Sequence, residues 1–303
     1  DCLRDGDEMF MYGTDPCSAD TDGDGISDMI ELAYGSNPLD GTDHWRDRGD
    51  YVFLVPYGLP PTPVDDVFVF STSLQLADVY FLIDTSATMT GEIAGFRSAL
   101  LATMIPGIIA SVPDVWFGIG RFSDYAATPY GEPGDEVFVP EQRLTTDRTA
   151  VTAAAARLTA EGGGDEPDAA VVALQAFASG DGGALCPRPA PAACSAGFGY
   201  PCFRPDAVPL VVLITDATLH SGPGGTEPYG TVETGTCTAV PPTYDAARDA
   251  LVASRIRVLG IETGGSAAAR GQLEQLVRDT GAVDGGGTAL VFDVSADGTG
   301  LGS

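Results

Sequence analysis

From Asp78 onward, short apolar runs alternate with segments of helical pattern, and this alternation constrains the fold more than any other feature of the sequence. The apolar runs are rich in Val, Ile, Leu and Phe, as is typical of buried strands. Strands that alternate with helices build a mainly parallel sheet covered by helices on both faces. We therefore predict a doubly wound α/β domain, with strands at 79–83, 115–122, 208–215, 256–261 and 289–294, and helices at 92–111, 148–159, 168–178, 244–254 and 267–279.

Acidic and hydroxyl side chains stand where two of these strands end. Asp84-Thr85-Ser86-Ala87-Thr88 follows the first strand, and Asp216 follows the strand at 208–215. Ligands of open parallel sheets bind outside the carboxyl ends of the strands, and Mg²⁺ prefers oxygen ligands in near-octahedral geometry. A further acidic loop, 165–168, either joins this group or merely caps the helix that follows it. We expect a Mg²⁺ (or Mn²⁺) site formed by Asp84, Ser86, Thr88, Asp168 and Asp216.

Residues 20–31 fit the twelve-residue calcium-loop pattern. Carboxylates occupy loop positions 1, 3, 5, 9 and 12, a glycine at position 6 allows the sharp turn, and position 7 offers its backbone carbonyl. Five acids this close together repel one another without an ion, so we expect Ca²⁺ to do much of the folding. The alternative is a solvated acidic loop. The predicted ligands are Asp20, Asp22, Asp24, Ile26, Asp28 and Glu31.

The charge balance and the cysteines restrict the function and the compartment. The chain has 43 acidic and 15 basic residues, no lysine and a formal net charge of −28, which excludes non-specific binding to nucleic acid. No apolar run reaches 18 residues, so we predict no transmembrane segment. Six cysteines without a CxxC pair favour disulfides in an oxidising, extracellular compartment. The candidates are Cys2, Cys17, Cys186, Cys194, Cys202 and Cys237.

Two parts of the chain resemble known families. Residues 1–43, in which the Tyr-Gly-Thr-Asp-Pro of 12–16 recurs as Tyr-Gly-Ser-Asn-Pro at 34–38, resemble the bacterial thrombospondin type 3 repeats, which are calcium-stiffened spacers of surface proteins. The D-x-S-x-T at 84–88, the T-D-A at 215–217 and the G-x-x-D-x-P-D at 162–168 resemble the metal-ion-dependent adhesion site of von Willebrand factor A domains, in the version of integrin β subunits. We expect repeats at 1–43, a linker with extended strands at 44–76, and a von Willebrand factor A-like domain at 77–303 that lacks the last helix of the family.

The resemblance implies further sites. In the family, hydroxyls ligate the ion directly and one coordination position is left for a partner's acid. A second calcium site is implied for Asp124, Asp165, Asp168 and the carbonyl of Pro167, whereas a third, adjacent site is incomplete because Gly91 stands beside Glu92 and is not claimed. Cys237 matches a loop cysteine of integrins, which implies the pairs Cys186–Cys237 and Cys194–Cys202, one of three possible connectivities. His220 is expected to be a solvent-facing loop residue.

These expectations combine into a secreted or cell-surface adhesion module, of the kind found in bacterial surface adhesins, that binds an Asp or Glu of a protein partner through Mg²⁺. The alternative from the same residues is a calcium-stiffened structural surface protein without metal-mediated binding. A metal-dependent phosphohydrolase with Asp84 as nucleophile is disfavoured, because Ser86 stands where that chemistry usually has a second Asp and the chain has no lysine to hold phosphate. We therefore expect no enzymatic activity.

Overall fold

The computed structural model describes residues 3–43, 75–180, 182, 184–185, 194, 196–234 and 238–295. The chain divides into two compact units, Asp1–Ser71 and Thr72–Ser303. The predicted linker at 44–76 lies outside the described residues except for its last two positions.

The first unit is held together by few apolar contacts. Helix α1 (Asp5–Asp7) continues into a π-helical turn over Glu8–Tyr12, and α2 (Asp28–Tyr34) follows the acidic loop. The apolar cluster of the described part of this unit consists of Ile26 and Ile30 with Met29 against them. So small a core contributes little to stability, and polar groups and their ligands must supply the rest.

The second unit is built on one sheet whose carboxyl edge carries the predicted site. The strands in the described part of the unit are β1 (Leu76–Asp84), β2 (Asp114–Phe122), β3 (Val139–Thr145), β4 (Val208–Thr215), β5 (Val232–Glu233), β6 (Thr238–Ala239), β7 (Arg257–Glu262) and β8 (Val291–Asp293). Their order in the sheet is β3-β2-β1-β4-β7-β8, with β3 antiparallel to β2 and the other neighbours parallel. The short strands β5 and β6 form a separate ribbon. The prediction of a doubly wound, mainly parallel sheet is confirmed.

Helices cover both faces of this sheet. The helices are α3 (Thr90–Ala99), α4 (Ile105–Ser111), α5 (Arg148–Ala155), α6 (Ala170–Ser179), α7 (Tyr244–Ala253) and α8 (Ala267–Asp279). A 3₁₀ turn (Ala87–Met89) precedes α3, and a π-helical turn (Leu100–Met104) joins α3 to α4. Successive side chains of a strand point to opposite faces, so Phe81 and Ile83 belong to the core beneath α3 to α5, whereas Tyr80 and Leu82 belong to the core beneath α6 to α8.

The edge strand β3 was not predicted. Its sequence, Val-Pro-Glu-Gln-Arg-Leu-Thr, has neither an apolar run nor a clean alternation, and only Leu144 in it is buried. It pairs with β2 through two register shifts, so its position depends on the strand beside it rather than on its own pattern.

One helical run in the described part of the chain, Ala87–Ser111, is long and apolar enough by length and composition to cross a membrane. That is weak evidence of a span, since helices of folded domains pass the same test. Ile93, Phe96 and Leu100 of this run pack in the core of the sheet. The absence of a transmembrane segment therefore stays a prediction.

At the amino edge of the sheet, a charged cluster ties β1 to β2. The Arg204 side chain donates to Asp78 on β1 (Nε to Oδ1, 2.8 Å) and to Asp114 at the start of β2 (2.8 Å), and its guanidinium lies 4.8 Å from the centre of the Trp116 ring. Asp78 is fully buried, so Arg204 compensates a carboxylate that water does not reach.

Candidate metal centre

Two aspartates meet at the carboxyl edge of the sheet because their strands are parallel neighbours. Asp84 ends β1, Asp216 directly follows β4, and the pairing of Ile83 with Ile214 aligns the two ends. The chain builds strands on one side of β1 first and later builds β4, β7 and β8 on the other. The crevice between β1 and β4 is thus the topological switch point, where open α/β sheets bind ligands.

The loop after β1 turns around the Asp84 carboxylate. The Ser86 amide donates to Asp84 Oδ1 (2.8 Å), and the Thr215 hydroxyl on β4 donates to Asp84 Oδ2 (2.6 Å). The Ser86 and Thr88 hydroxyl oxygens lie 3.2 Å apart, with Ser86 buried and Thr88 exposed. Two neutral hydroxyl oxygens therefore stand side by side in the loop that follows the buried acid.

Asp168 brings a second buried carboxyl group against the first. Asp168 is 2% exposed, and its carboxyl group lies close enough to that of Asp84 for each to act on the pKa of the other. Burial raises the pKa of both groups, and the Asp84 charge raises the pKa of Asp168 further, followed by the charges of Asp124 and Asp216. Two buried like charges in contact are stable only when they share a proton or a cation.

Asp216 and Glu92 surround this pair. Asp216 is half-buried, and its charge raises the pKa of Asp84, Asp168 and Glu92. Glu92 in the first turn of α3 is buried, its Oε2 accepts no hydrogen bond among the described residues, and burial is the largest cause of its raised pKa. Glu92 is not one of the five predicted ligands. The signal that pointed to it was an acid in the first turn after the D-x-S-x-T motif.

The five predicted ligands are thus only partly gathered. Asp84, Ser86, Thr88 and Asp168 contact one another in a chain, whereas Asp216 acts on them through its charge. Among the described residues, two groups of three metal-ligating side chains have ligand atoms within 4.8 Å of one another, and both lie elsewhere. The buried acid pair, the adjacent hydroxyls and the orphaned Glu92 oxygen fit a hard divalent cation that keeps several waters, as Mg²⁺ does.

One of those two groups overlaps the second calcium site that the resemblance implied. It consists of Asp124, which follows β2, Asp165 and His220, and it does not include Asp168, whose carboxyl group lies next to that of Asp84. The carbonyl of Pro167 stays a predicted ligand. Asp124 is fully buried, and burial raises its pKa to about 8. The expectation that His220 faces solvent is wrong: it is 4% exposed, because the loop after β4 folds it under the rings of Tyr130 and Tyr229.

Backbone hydrogen bonds lock the loops that supply these side chains. The Asp168 amide donates to the Thr218 carbonyl (2.9 Å), and the His220 amide donates back to the Asp168 carbonyl (2.8 Å). The Ala169 amide donates to the Ser123 carbonyl (3.0 Å), which attaches the loop after β2. Gly162 is obligatory in this arrangement, since its φ is +79° and a Cβ there would meet the Asp135 carboxylate.

The second group of three is the start of the calcium loop in the first unit. Asp20, Asp22 and Asp24 bring carboxylate oxygens within 4.8 Å of one another. Asp20 accepts from the Gly23 and Gly25 amides (2.8 and 2.9 Å), and Gly25 at position 6 has a φ of +96°. The loop is therefore curled around the point where the pattern places the ion.

The last two carboxylates of the loop differ from each other. Both oxygens of Asp28 accept hydrogen bonds from Thr21 (2.8 and 2.7 Å). Glu31 is fully buried, and neither of its carboxylate oxygens accepts a hydrogen bond among the described residues. Burial and then the charges of Asp22, Asp24 and Asp28 raise the Glu31 pKa to about 7. An orphaned bidentate carboxylate at position 12 fits Ca²⁺. The Ile26 carbonyl at position 7 remains a predicted ligand.

Of the predicted disulfides, Cys194–Cys202 is present, with Cα atoms 5.5 Å apart. Cys186, Cys237 and Cys2 lie outside the described residues. Cys17 is exposed and has no disulfide partner in the described part of the chain.

Comparison with known proteins gives one family match and several structural likenesses. Residues 20–41 match the family model of the bacterial TSP3 repeat. Among solved structures, the chain is similar to the VWA domain of SpRpn10 (12% identity, TM-score 0.38, covering 73% of this chain and 89% of that one). It is also similar to proximal thread matrix protein 1 of the mussel byssus (13% identity, TM-score 0.40, covering 73% of this chain and 44% of that one). No curated protein sequence matches the chain significantly.

Proposed function

We propose that the chain is a protein-binding module of the cell surface or of a secreted protein, and that its α/β unit binds an Asp or Glu of a partner through Mg²⁺ or Mn²⁺ at the carboxyl edge of the sheet. One observation carries this proposal: the Asp84 and Asp168 carboxyl groups are buried next to each other, and the loop that carries the Ser86 and Thr88 hydroxyls turns around Asp84. None of the ion pairs in the described part of the chain gives either acid a basic partner.

The donor set explains why such an ion would bind an additional carboxylate. Ser86 and Thr88 are neutral ligands, so they do not themselves compensate the charge of the cation. Thr88 is exposed, which leaves the ion open to solvent on that side. A carboxylate from another protein would replace a water there, and the ion would then be shared between two molecules.

The calcium repeat supports the extracellular assignment and adds a second role. Residues 1–43 resemble thrombospondin type 3 repeats, which are calcium-stiffened spacers. The family match at residues 20–41 therefore favours a calcium-stiffened segment in this chain. If the α/β unit binds no acidic ligand, this structural role is the remaining candidate function. We propose that the protein is not an enzyme, because Ser86 replaces the second acid of the phosphohydrolase pattern.

A direct test measures Mn²⁺ binding by electron paramagnetic resonance, because free Mn²⁺ gives a strong signal that is lost on binding. The protein is first saturated with Ca²⁺ to fill the repeat. Asp84→Asn and Asp216→Ala are expected to weaken the Mn²⁺ site by at least about tenfold, in line with the cost of perturbing a metal shell. The matched control is Asp206→Ala, an exposed acid just before β4 at the opposite edge of the sheet.

Ligand recognition is tested with a bead library of peptides that each carry one Asp or Glu, against a matched library with Asn or Gln. We expect Mg²⁺-dependent capture of acidic peptides only, abolished by EDTA and by Asp216→Ala. Capture that persists in EDTA, or that does not distinguish acid from amide, would refute metal-mediated binding.

A further inference from the structure

The group of Asp124, Asp165 and His220 has a ligand chemistry different from that of a calcium site. Their ligand atoms lie within 4.8 Å of one another, although they come from three separate loops. His220 Nε2 is 3.2 Å from Asp165 Oδ2 and 3.8 Å from Asp124 Oδ2. An imidazole nitrogen and two carboxylates therefore converge on one point next to the acid pair at the sheet edge.

The surroundings of the imidazole set its tautomer and its orientation. His220 Nδ1 lies 3.0 Å from the Glu227 carbonyl oxygen, which can only accept, so Nδ1 carries a proton. In the neutral ring the Nε2 lone pair then faces the two carboxylates. The ring stacks on Tyr229 at 4.1 Å, and Tyr130 meets it edge-on at 5.4 Å. A metal-ligating histidine commonly has its other nitrogen held by a carbonyl in this way.

Asp124 is also arranged as a ligand. Its Oδ1 accepts the Tyr229 hydroxyl (2.7 Å), whereas its fully buried Oδ2 accepts no hydrogen bond among the described residues. The 3.8 Å to His220 Nε2 is too long for a hydrogen bond. A buried, unpartnered carboxylate oxygen that points at a nitrogen lone pair and a second carboxylate is unfavourable unless a cation lies between them.

We propose that Asp124, Asp165 and His220 bind a first-row transition-metal dication, with Zn²⁺ as the type ion. Imidazole nitrogen favours Zn²⁺ and its neighbours in the series, whereas Ca²⁺ takes six to eight oxygens. Ligands at 2.0–2.1 Å in a tetrahedron are about 3.3 Å apart, close to the two distances from Nε2 to the carboxylate oxygens. The Asp165 side chain is 31% exposed, which gives the ion a route from solvent and an open fourth position.

This ion would connect the loop after β2, the loop before α6 and the loop after β4. The latter two also supply Asp168 and Asp216, so the transition-metal site would fix the loops that carry the adhesion site. This zinc site does not depend on the proposed function, because none of its three ligands is among the five predicted Mg²⁺ ligands.

The test uses the whole protein, stripped of metal and then saturated with Ca²⁺ and Mg²⁺, and titrates ZnCl₂ by calorimetry. We expect one tight equivalent of zinc that millimolar Ca²⁺ does not displace. His220→Ala should weaken it by more than about 100-fold, since loss of an outer partner alone costs roughly 10–100-fold, and Tyr229→Phe should show that smaller loss. His44→Ala, which removes the other histidine of the sequence, should leave zinc binding unchanged.

A second measurement keeps the inference testable if a variant folds poorly. The long-range ¹H–¹⁵N spectrum shows the ring nitrogens of the two histidines. Zinc should shift the Nε2 signal of one of them while the Nδ1 of the same ring stays protonated. His220→Gln should remove the signals of that ring, which assigns them to His220. Zinc should bind equally well to Asp84→Asn, which separates this site from the Mg²⁺ site. The inference is overturned if zinc does not bind, if it binds His220→Gln as well as the parent, or if Ca²⁺ displaces it.

Discussion

Asp84, Asp124 and Asp168 are carboxyl groups that folding places out of water at one edge of a sheet. None of the arginine ion pairs of the described part involves them; Arg204 pairs with Asp78 and Arg121 with Glu141, for example. A buried acid without a base keeps its proton or acquires a metal ion. At the scale of single residues, we therefore expect protons and divalent cations to compete for these carboxyl groups.

The first prediction concerns the stability of the metal-free protein as a function of pH. Burial raises the pKa of Asp84 and Asp168, and raises that of Asp124 to about 8. A group whose pKa is higher in the folded than in the unfolded state contributes stability below the unfolded pKa of about 4 and loses it as pH rises through the folded value. In EDTA, the thermal midpoint of the second unit should thus fall between about pH 4 and pH 8.

Divalent cations should reverse that loss. With Mg²⁺ and Zn²⁺ present, the midpoint at pH 8 should rise more than the midpoint at pH 5, because the ions replace protons only where protons have left. Scanning calorimetry at the two pH values measures both differences. A midpoint in EDTA that rises steadily from pH 5 to pH 8 would contradict the assigned direction of the pKa shifts.

The second prediction concerns Arg204, whose side chain is 15% exposed and neutralises the fully buried Asp78. Arg204→Ala leaves that carboxylate uncompensated, which costs about 3–5 kcal/mol when a buried pair loses one partner. Urea denaturation measures the change. Arg248→Ala, which removes contacts to the exposed Asp245 and Asp249, should leave the midpoint unchanged. If the two substitutions lowered the free energy of unfolding equally, burial of the carboxylate would not decide how much the loss of its arginine partner costs.

At the scale of elements, glycines of β2 leave room on one face of the sheet for an aromatic ring of β1. A Cβ on Gly118 would lie 2.5 Å from Tyr80 Cδ2, and a Cβ on Gly120 would lie 2.7 Å from the Tyr80 hydroxyl oxygen. That hydroxyl donates to the Ile119 carbonyl (2.9 Å). The ring thus fills the space above two glycines and satisfies its own polar atom.

The third prediction follows from this contact. Gly118→Ala should destabilise the second unit by about 1–3 kcal/mol, the usual cost of overpacking a core. Gly271→Ala is the matched control with the opposite sign: it lies inside α8 with nothing within 4 Å of its Cβ position, so helix propensity should stabilise by up to about 1 kcal/mol. If Gly118→Ala left the free energy of unfolding unchanged in chemical denaturation, the Tyr80 ring would be able to move at little cost.

At the scale of the whole molecule, two units with different cores should respond to different ions. The first unit has a small apolar cluster and an orphaned Glu31, whereas the second has two extensive cores on the faces of its sheet. Ca²⁺ should therefore decide whether the first unit is folded, and the other cations should chiefly act on the edge of an already folded sheet.

The fourth prediction is that Ca²⁺ alone raises the protease resistance of residues 3–43 while cleavage within the second unit changes little. Glu31→Gln should remove most of that protection, because it replaces the bidentate ligand at position 12. Asp40→Asn, an exposed acid outside the twelve-residue loop, serves as the control. Limited proteolysis with mass mapping of the fragments measures the effect, and unchanged cleavage of residues 3–43 on adding Ca²⁺ would argue against the loop.

Local patterns were sufficient for much of the fold. The strand at 208–215 and the helix at 267–279 have the predicted bounds, because an apolar run and an amphipathic period are properties of neighbouring residues. The calcium loop was predictable for the same reason, since all its ligands lie within twelve positions. The polar strand β3 was missed because pairing with β2, rather than its own composition, makes it a strand.

The sequence by itself determined the alternation of strands and helices, the calcium loop, and the acids and hydroxyls at the ends of β1 and β4. Only the tertiary structure decided which of those side chains touch. It placed Asp168 against Asp84, left Asp216 to act through its charge, buried Glu92 beside them, and brought His220 to Asp124 and Asp165. The physical reason is that periodicity acts over a few residues, whereas these contacts join loops far apart in sequence, which meet only because parallel strands end at the same edge of one sheet.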